Sequence, residues 1–171
     1  MTFFELAKAR YSVRAFRETP VEEEKLMQIL EAGRIAPTAC NNQPQKIFVA
    51  KSTASREKLA SVCPCTFHAP VILVVCYDRT RNWKSKLMPG YESGETDAAI
   101  VCTHMMLQAA DLGIGSCWVG YFNAQEVADV LGLPEGITVS ALLPIGYAAE
   151  GAEPDPLHTQ YRDLADTVTE I

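Results

Sequence analysis

Three polar residues near the N-terminus alternate with less polar ones in the segment Arg10-Tyr11-Ser12-Val13-Arg14. Arginine offers a planar fork of donors that matches phosphate, and serine adds a hydroxyl. Side chains two apart on an extended chain point the same way, so Arg10, Ser12 and Arg14 can meet one anionic ligand. The chain as a whole carries a net charge of −6. Against that background Arg10, Arg14 and Arg17 form a local attractor for an anion. A solvated helix end has the same composition, so the segment alone does not decide between the two.

Two further stretches have residue types suited to a ligand. Pro37-Thr38-Ala39-Cys40-Asn41-Asn42-Gln43-Pro44 combines small residues, which let a flat molecule approach the backbone, with amides that both donate and accept. An ordinary turn-rich loop has the same make-up. Gly115-Ser116-Cys117-Trp118-Val119-Gly120 brackets a tryptophan with glycines, which permits close approach and leaves backbone N–H groups to donate. A core strand with a packed tryptophan reads the same way.

The elements that must position these stretches are legible from periodicity. Thr2 and Glu5 form a capping-box signal for a short helix reaching Ala9. Leu26, Ile29, Leu30 and Gly33 share one face of a helix over about Glu22 to Ile35, which Pro37 ends. Ile47 to Ala50 is a short strand, Ser55 to Val62 a helix, and Val71 to Tyr77 a β-branched strand covered on both faces. Arg79 to Gly94 is polar and reads as a surface loop or flap. Thr96 is expected to cap a long apolar helix running to Leu112, with His104 as a satisfied core residue. Gly113 to Gly120 is a glycine-punctuated strand. Asn123 and Glu126 cap a helix that Gly132 stops. Ser140 to Gly146 is a strand, Gly151 to Pro156 a linker, and the tail carries Tyr161, Leu164 and Val168. Helices first, then strands separated by helices, suit an α+β or three-layer domain.

Composition narrows the class. With 171 residues, 48% of them hydrophobic, the chain has the length of one domain, 1–171, with a sizeable core. The acidic balance argues against nucleic acid. No apolar run is long enough to span a membrane, and the N-terminus lacks a signal-peptide pattern, so a soluble cytoplasmic protein is expected. The six cysteines follow no metal-binding spacing. Cys76 and Cys102 read as core fillers, and Cys63-Pro64-Cys65 is tighter than the usual redox motif.

Taken in order, these stretches resemble the nitroreductase family of FMN-dependent oxidoreductases. The resemblance rests on Arg10, Ser12 and Arg14; on Ala36-Pro37-Thr38-Ala39-Cys40-Asn41-Asn42-Gln43-Pro44, with Thr38 where the family has serine; on Leu112 to Gly120; and on Leu131-Gly132-Leu133-Pro134 and Leu143-Pro144-Ile145-Gly146-Tyr147. A late basic residue, Arg162, completes it.

The resemblance implies an α+β, nitroreductase-like three-layer fold, with a central, mostly antiparallel sheet flanked by helices. It implies a homodimer with FMN at the interface. Arg10 and Ser12 would hold the phosphate with help from Arg162, and Arg14 would reach the ring, with Tyr11 in the same cofactor-binding segment. Pro37, Thr38, Ala39 and Asn41 would come from the other subunit, with Gln43 as a further contact. Trp118, Val119 and Gly120 would lie near the reactive ring. The implied activity is hydride transfer from NAD(P)H through FMN to an electron-poor acceptor such as a nitroaromatic or quinone, in alternating half-reactions. No protein nucleophile, base or metal is required. Two rival readings are a flavin carrier or sensor with little turnover, and a thiol protein using Cys63 and Cys65. Departures from the family are Gln45, where an aromatic often stands, and the short chain, which leaves Arg79 to Gly94 as the substrate cover.

Overall fold

The computed structural model describes residues 1–171. At its centre is β2 (Val71–Asp78), whose residues from Val71 to Cys76 are all buried. An uninterrupted apolar run of this kind needs cover on both faces, and it has it. β2 pairs antiparallel with β1 (Gln45–Ala50) on one side and β4 (Ile137–Gly146) on the other. β3 (Gly115–Ser116) adds to β4, giving the order β1-β2-β4-β3.

Alternation along the strands divides the core into two layers. Leu73, Val75, Leu143 and Ile145 face α2 (Glu23–Arg34) and α4 (Gly94–Asp111). Ile72, Val74, Cys76 and Leu142 face α3 (Thr53–Val62) and α5 (Ala124–Leu131). The expected α+β, three-layer arrangement around an antiparallel sheet is therefore present. The predicted stripe of α2 is the buried one, through Leu26, Ile29 and Gly33. α1 (Phe3–Ala9) starts with the reciprocal capping box of Thr2 and Glu5, and buries no residue. Cys76 and Cys102 fill core positions as expected, and burial pushes both thiols up to about 12.

Three expectations are corrected. α4 begins two residues before Thr96, with Ser93 at the cap position, and Thr96 is an exposed first-turn residue. His104 is exposed rather than in the core, with Nδ1 2.8 Å from the Ile100 carbonyl oxygen. The strand expected over Gly113 to Gly120 is cut to two residues, Gly115 and Ser116. The cause lies on the neighbouring strand. Cys117 N–H donates to Pro144 O at 3.1 Å, but a proline has no N–H with which to reciprocate. Pairing resumes only at Val119, which exchanges both hydrogen bonds with Leu142.

α4 is seated closely at its start. A Cβ on Gly94 would stand 2.2 Å from the Tyr77 ring. Gly94→Ala is expected to destabilise the protein by about 1–3 kcal/mol, because the ring is hemmed in and cannot yield freely. Thermal unfolding followed by circular dichroism measures this; an unchanged midpoint would contradict the packing described.

Candidate functional site

The Arg10–Arg14 segment is an added edge of the sheet. Ser12 bridges Ser116 in parallel, and Val13 N–H donates to Ser116 O at 2.9 Å. The close approach depends on Gly115, where a Cβ would lie 2.7 Å from Val13 Cγ2 and 3.2 Å from Gly146 O. Farther on, Phe16 bridges Ala148, and Arg17 N–H donates to Tyr147 O at 2.8 Å. The segment leaves α1 at Arg10 in an extended conformation and keeps it.

The side chains of the segment have different surroundings, and Tyr11, expected in the cofactor-binding set, is engaged within the chain. Val13 is buried against Gly115, and the Tyr11 hydroxyl donates to Ala152 O at 3.1 Å while its ring meets His158 edge-on. The Ser12 hydroxyl lies beside the Cys117 thiol, whereas Arg10 lines a groove together with Tyr11 and Val13. Burial raises the Cys117 thiol, and the Ser12 hydroxyl and the guanidiniums of Arg14 and Arg10 pull against it. Arg14 is half-exposed and only loosely paired, at 3.8 Å from Asp155. The nearby Ser116 Oγ is buried without a hydrogen-bond partner. A groove of about 260 Å³ lies beside the segment, lined by Arg10, Tyr11, Gly115 and Ser116 among others. A second groove on the far side of Arg14 is walled by Phe16, Cys63, Pro64, Thr66 and His68.

Trp118, Val119 and Gly120 do not contribute alike. The N–H of Val119 is taken by Leu142 O at 2.9 Å and is not free for a ligand. The amides of Trp118 and Gly120 carry no backbone hydrogen bond. By the alternation of an antiparallel pair they face away from β4, along the edge that Ser12 and Val13 occupy. Trp118 and Gly120 are both exposed.

The Pro37–Pro44 loop is tightly made. It turns through a 3-10 segment, Ala39–Asn41, with Cys40, Asn41 and Gln43 at φ of 51°, 52° and 49°. Thr38 Oγ1 accepts from Gln43 N–H at 3.0 Å, so threonine performs the turn-closing role open to serine at this position. Gln43 Nε2 reaches back to Asn41 O at 3.4 Å. Pro37 and Asn41 are exposed. Ala39 N–H donates to Asp97 Oδ1 at 2.8 Å. Gln45, which opens β1 behind the loop, has a buried Oε1 without a partner.

This loop and the Arg10–Arg14 segment do not meet within one chain. Ser12 lies in the row Ser116–Ile145–Val71, at the start of β2, whereas Gln45 pairs with Tyr77 at its end. Six residues of strand separate the rows, about 20 Å at the usual rise. α4 gives the same measure. Asp97 holds Ala39, and Ala110 lines the groove with Arg10, thirteen residues later (110 − 97); that is about 20 Å of helix.

The remaining candidates lie apart. The Arg79–Gly94 stretch folds on itself, through Asn82 Nδ2 to Glu92 Oε2 at 2.8 Å, Lys84 to Glu92 at 3.2 Å, and an edge-on contact of Trp83 with Tyr91. Arg162 sits in an exposed tail and donates to Asp166 O. Cys63 is 1% exposed, and burial raises its thiol, which counts against the thiol reading. Sequence reasoning missed Asp97, Ser93, the unpartnered Ser116 and the wall from Cys63 to His68. A signal for the first two was present: serine four residues before an aspartate at a helix start.

Comparison with known proteins identifies the family. The sequence model described as Nitroreductase family matches residues 7–66 and 63–147. A crystal structure of a nitroreductase family protein from Clostridium difficile 630 is 36% identical, covers 99% of this chain and 98% of its own, and superposes with a TM-score of 0.92. A nitroreductase from Bacteroides fragilis NCTC 9343, solved with bound FMN, is 26% identical over 98% of this chain and 97% of its own, with a TM-score of 0.78. The FMN reductase [NAD(P)H] of Bacillus subtilis strain 168 is 29% identical over 85% of this chain and 65% of its own length. The chain belongs to the nitroreductase family.

Thiol reactivity reports on the geometry. In folded protein at pH 8, a thiol reagent should label exposed Cys40 first and leave Cys76 and Cys102 untouched, since burial holds those two protonated. Peptide mapping checks this. Labelling of Cys76 or Cys102 before unfolding would refute the assigned burial.

Proposed function

We propose that this protein is an FMN-dependent NAD(P)H oxidoreductase that passes reducing equivalents to an electron-poor acceptor of the nitroaromatic or quinone class. The observation that carries the reading is the Arg10–Ser12–Arg14 face seated on the sheet edge at Ser116, beside outward-facing amides. Membership of the family, an FMN-bound relative and a relative named for FMN reduction support it.

The donor set suits FMN. Arg10, Arg14, the Ser12 hydroxyl and the unpartnered buried Ser116 Oγ belong to one stretch of sheet edge and are donors of the kind that a phosphate and a polyhydroxy chain need. Arg10 and Ser12 would hold the phosphate, and Arg14 would bring positive charge to the edge of the ring. The Trp118 and Gly120 amides are available to the ring or to a bound acceptor. Arg162 joins the phosphate site if the tail folds back. Bound FMN supplies two-electron redox chemistry between a reduced nicotinamide and the acceptor. The protein's task is therefore to bind, orient and polarise, with no protein nucleophile. Arg14, loosely held, lowers the cost of negative charge placed beside it.

The site takes two chains on this reading. The groove next to Arg10 measures about 260 Å³, less than the roughly 300–1,000 Å³ of most ligand pockets. Pro37, Thr38, Ala39, Asn41 and Gln43 lie too far away to complete it in cis. A two-fold related copy brings its own loop to each segment. Exposed Phe3, Phe4, Leu157, Tyr161, Leu164 and Val168 offer the apolar surface for such pairing.

Purified protein should be yellow or reconstitute with FMN, and should oxidise NADH or NADPH when a quinone is supplied. Arg10→Ala should weaken FMN binding by about tenfold or more, the scale of a lost charge-assisted hydrogen bond. Protein that stays colourless with added FMN would end the reading, and FMN binding without turnover would favour the carrier alternative.

Mixed dimers test the two-chain site. Pairing an Arg10→Ala chain with a chain altered at Thr38 and Asn41 should restore FMN to about half of the sites. Placing all three changes on one chain, opposite an unaltered one, should leave none intact. The reverse pattern, no intact site in the first arrangement and about half in the second, would place the whole site within a single chain.

A further inference from the structure

Asp97 is 2% exposed, and both of its carboxylate oxygens are used. Oδ1 accepts from Ala39 N–H at 2.8 Å, and Oδ2 accepts from the Ser93 hydroxyl at 2.7 Å. The Ser93 oxygen in turn accepts from Trp83 N–H at 3.0 Å, and Ser93 N–H donates to Trp83 O at 2.9 Å. One carboxylate thus stands between the Thr38–Gln43 loop and the Arg79–Gly94 stretch. Its place in the first turn of α4 suits a negative charge, because the helix dipole is positive there.

The loop's other hydrogen bonds are internal. Asn41 N–H reaches Thr38 O, Asn42 N–H reaches Ala39 O, Gln43 N–H reaches Thr38 Oγ1, and Gln43 Nε2 reaches Asn41 O. The Ala39–Asp97 hydrogen bond is the one that leaves residues 38–43. A turn with three non-glycine residues at positive φ keeps its shape only where its surroundings over-determine it. A helix cap alone would need Ser93 and no buried carboxylate.

We infer that Asp97 is a positioning residue for the flavin site. It fixes the loop that one chain presents to the other, and ties that loop to the stretch carrying Trp83 and Tyr91. This rests on the FMN reading above. Asp97 touches neither cofactor nor substrate; it acts through Ala39 and Ser93. Removing its acceptors frees the Ala39 amide and lets the loop leave the shape that its partner's cofactor meets.

The test uses the full chain with Asp97→Ala, Asp97→Asn and, in case the alanine variant does not fold, Asp97→Leu. Hydrogen exchange of the Ala39 amide is measured without flavin, and the FMN dissociation constant by fluorescence quenching. Ala39 should be protected in the unsubstituted chain and lose protection in Asp97→Ala or Asp97→Leu. FMN should bind those variants about tenfold more weakly. Asp97→Asn keeps an oxygen for Ala39 and should recover most of both readouts. A merely structural role would lower the melting temperature without this local loss or this rescue. FMN binding by Asp97→Ala or Asp97→Leu within about twofold of the unsubstituted chain overturns the inference and leaves the functional reading standing. Failure of the unsubstituted chain to bind FMN overturns both.

Discussion

The structure turns on a distance. The cationic face at Arg10, Ser12 and Arg14 and the loop at Pro37–Pro44 occupy opposite ends of the same sheet, and α4 spans the gap as a rigid ruler. Neither end can move toward the other without unzipping β2, every residue of which from Val71 to Cys76 is buried. A site needing both ends is therefore one that two chains share. The exposed apolar residues of α1 and the tail then have a purpose on the proposed reading, since a chain alone leaves them in water.

The sequence displayed more of the fold than of the site. β2 was readable because β-branched residues run unbroken, α2 because its apolar residues recur at helical spacing, and α1 because Thr2 and Glu5 cap it reciprocally. The missed features depend on partners far away in the chain. Thr96 looked like a cap, but the buried Ser93–Asp97 pair fixes the start of α4. The strand after Gly115 stops because of Pro144, a residue on its neighbour, and local propensity carries no trace of that. His104 sits on an apolar-looking helix, and only packing reveals that its face is left open.

For the site, residue types gave the face and geometry gave its division of labour. Spacing by two suggested one face for Arg10, Ser12 and Arg14, and only the structure shows that the Tyr11 hydroxyl is taken by Ala152 O. Spacing could not distinguish Val119, whose amide is spent on Leu142, from its neighbours Trp118 and Gly120. Nor could it find Asp97, whose partner is a backbone amide and so has no side-chain signature.

The seating of the N-terminal segment also sets an order of assembly. Ser12 pairs with Ser116, Arg17 with Tyr147, and the Tyr11 hydroxyl reaches Ala152, 141 positions along the chain. Contacts of such long range close late, after the loops between them have lost their freedom. β3 pairs only with β4, so β4 must be in place before β3 can hold the segment. The segment at Arg10–Arg14 is thus held by residues more than a hundred positions later, and the cationic face is complete only when β3 and β4 are paired.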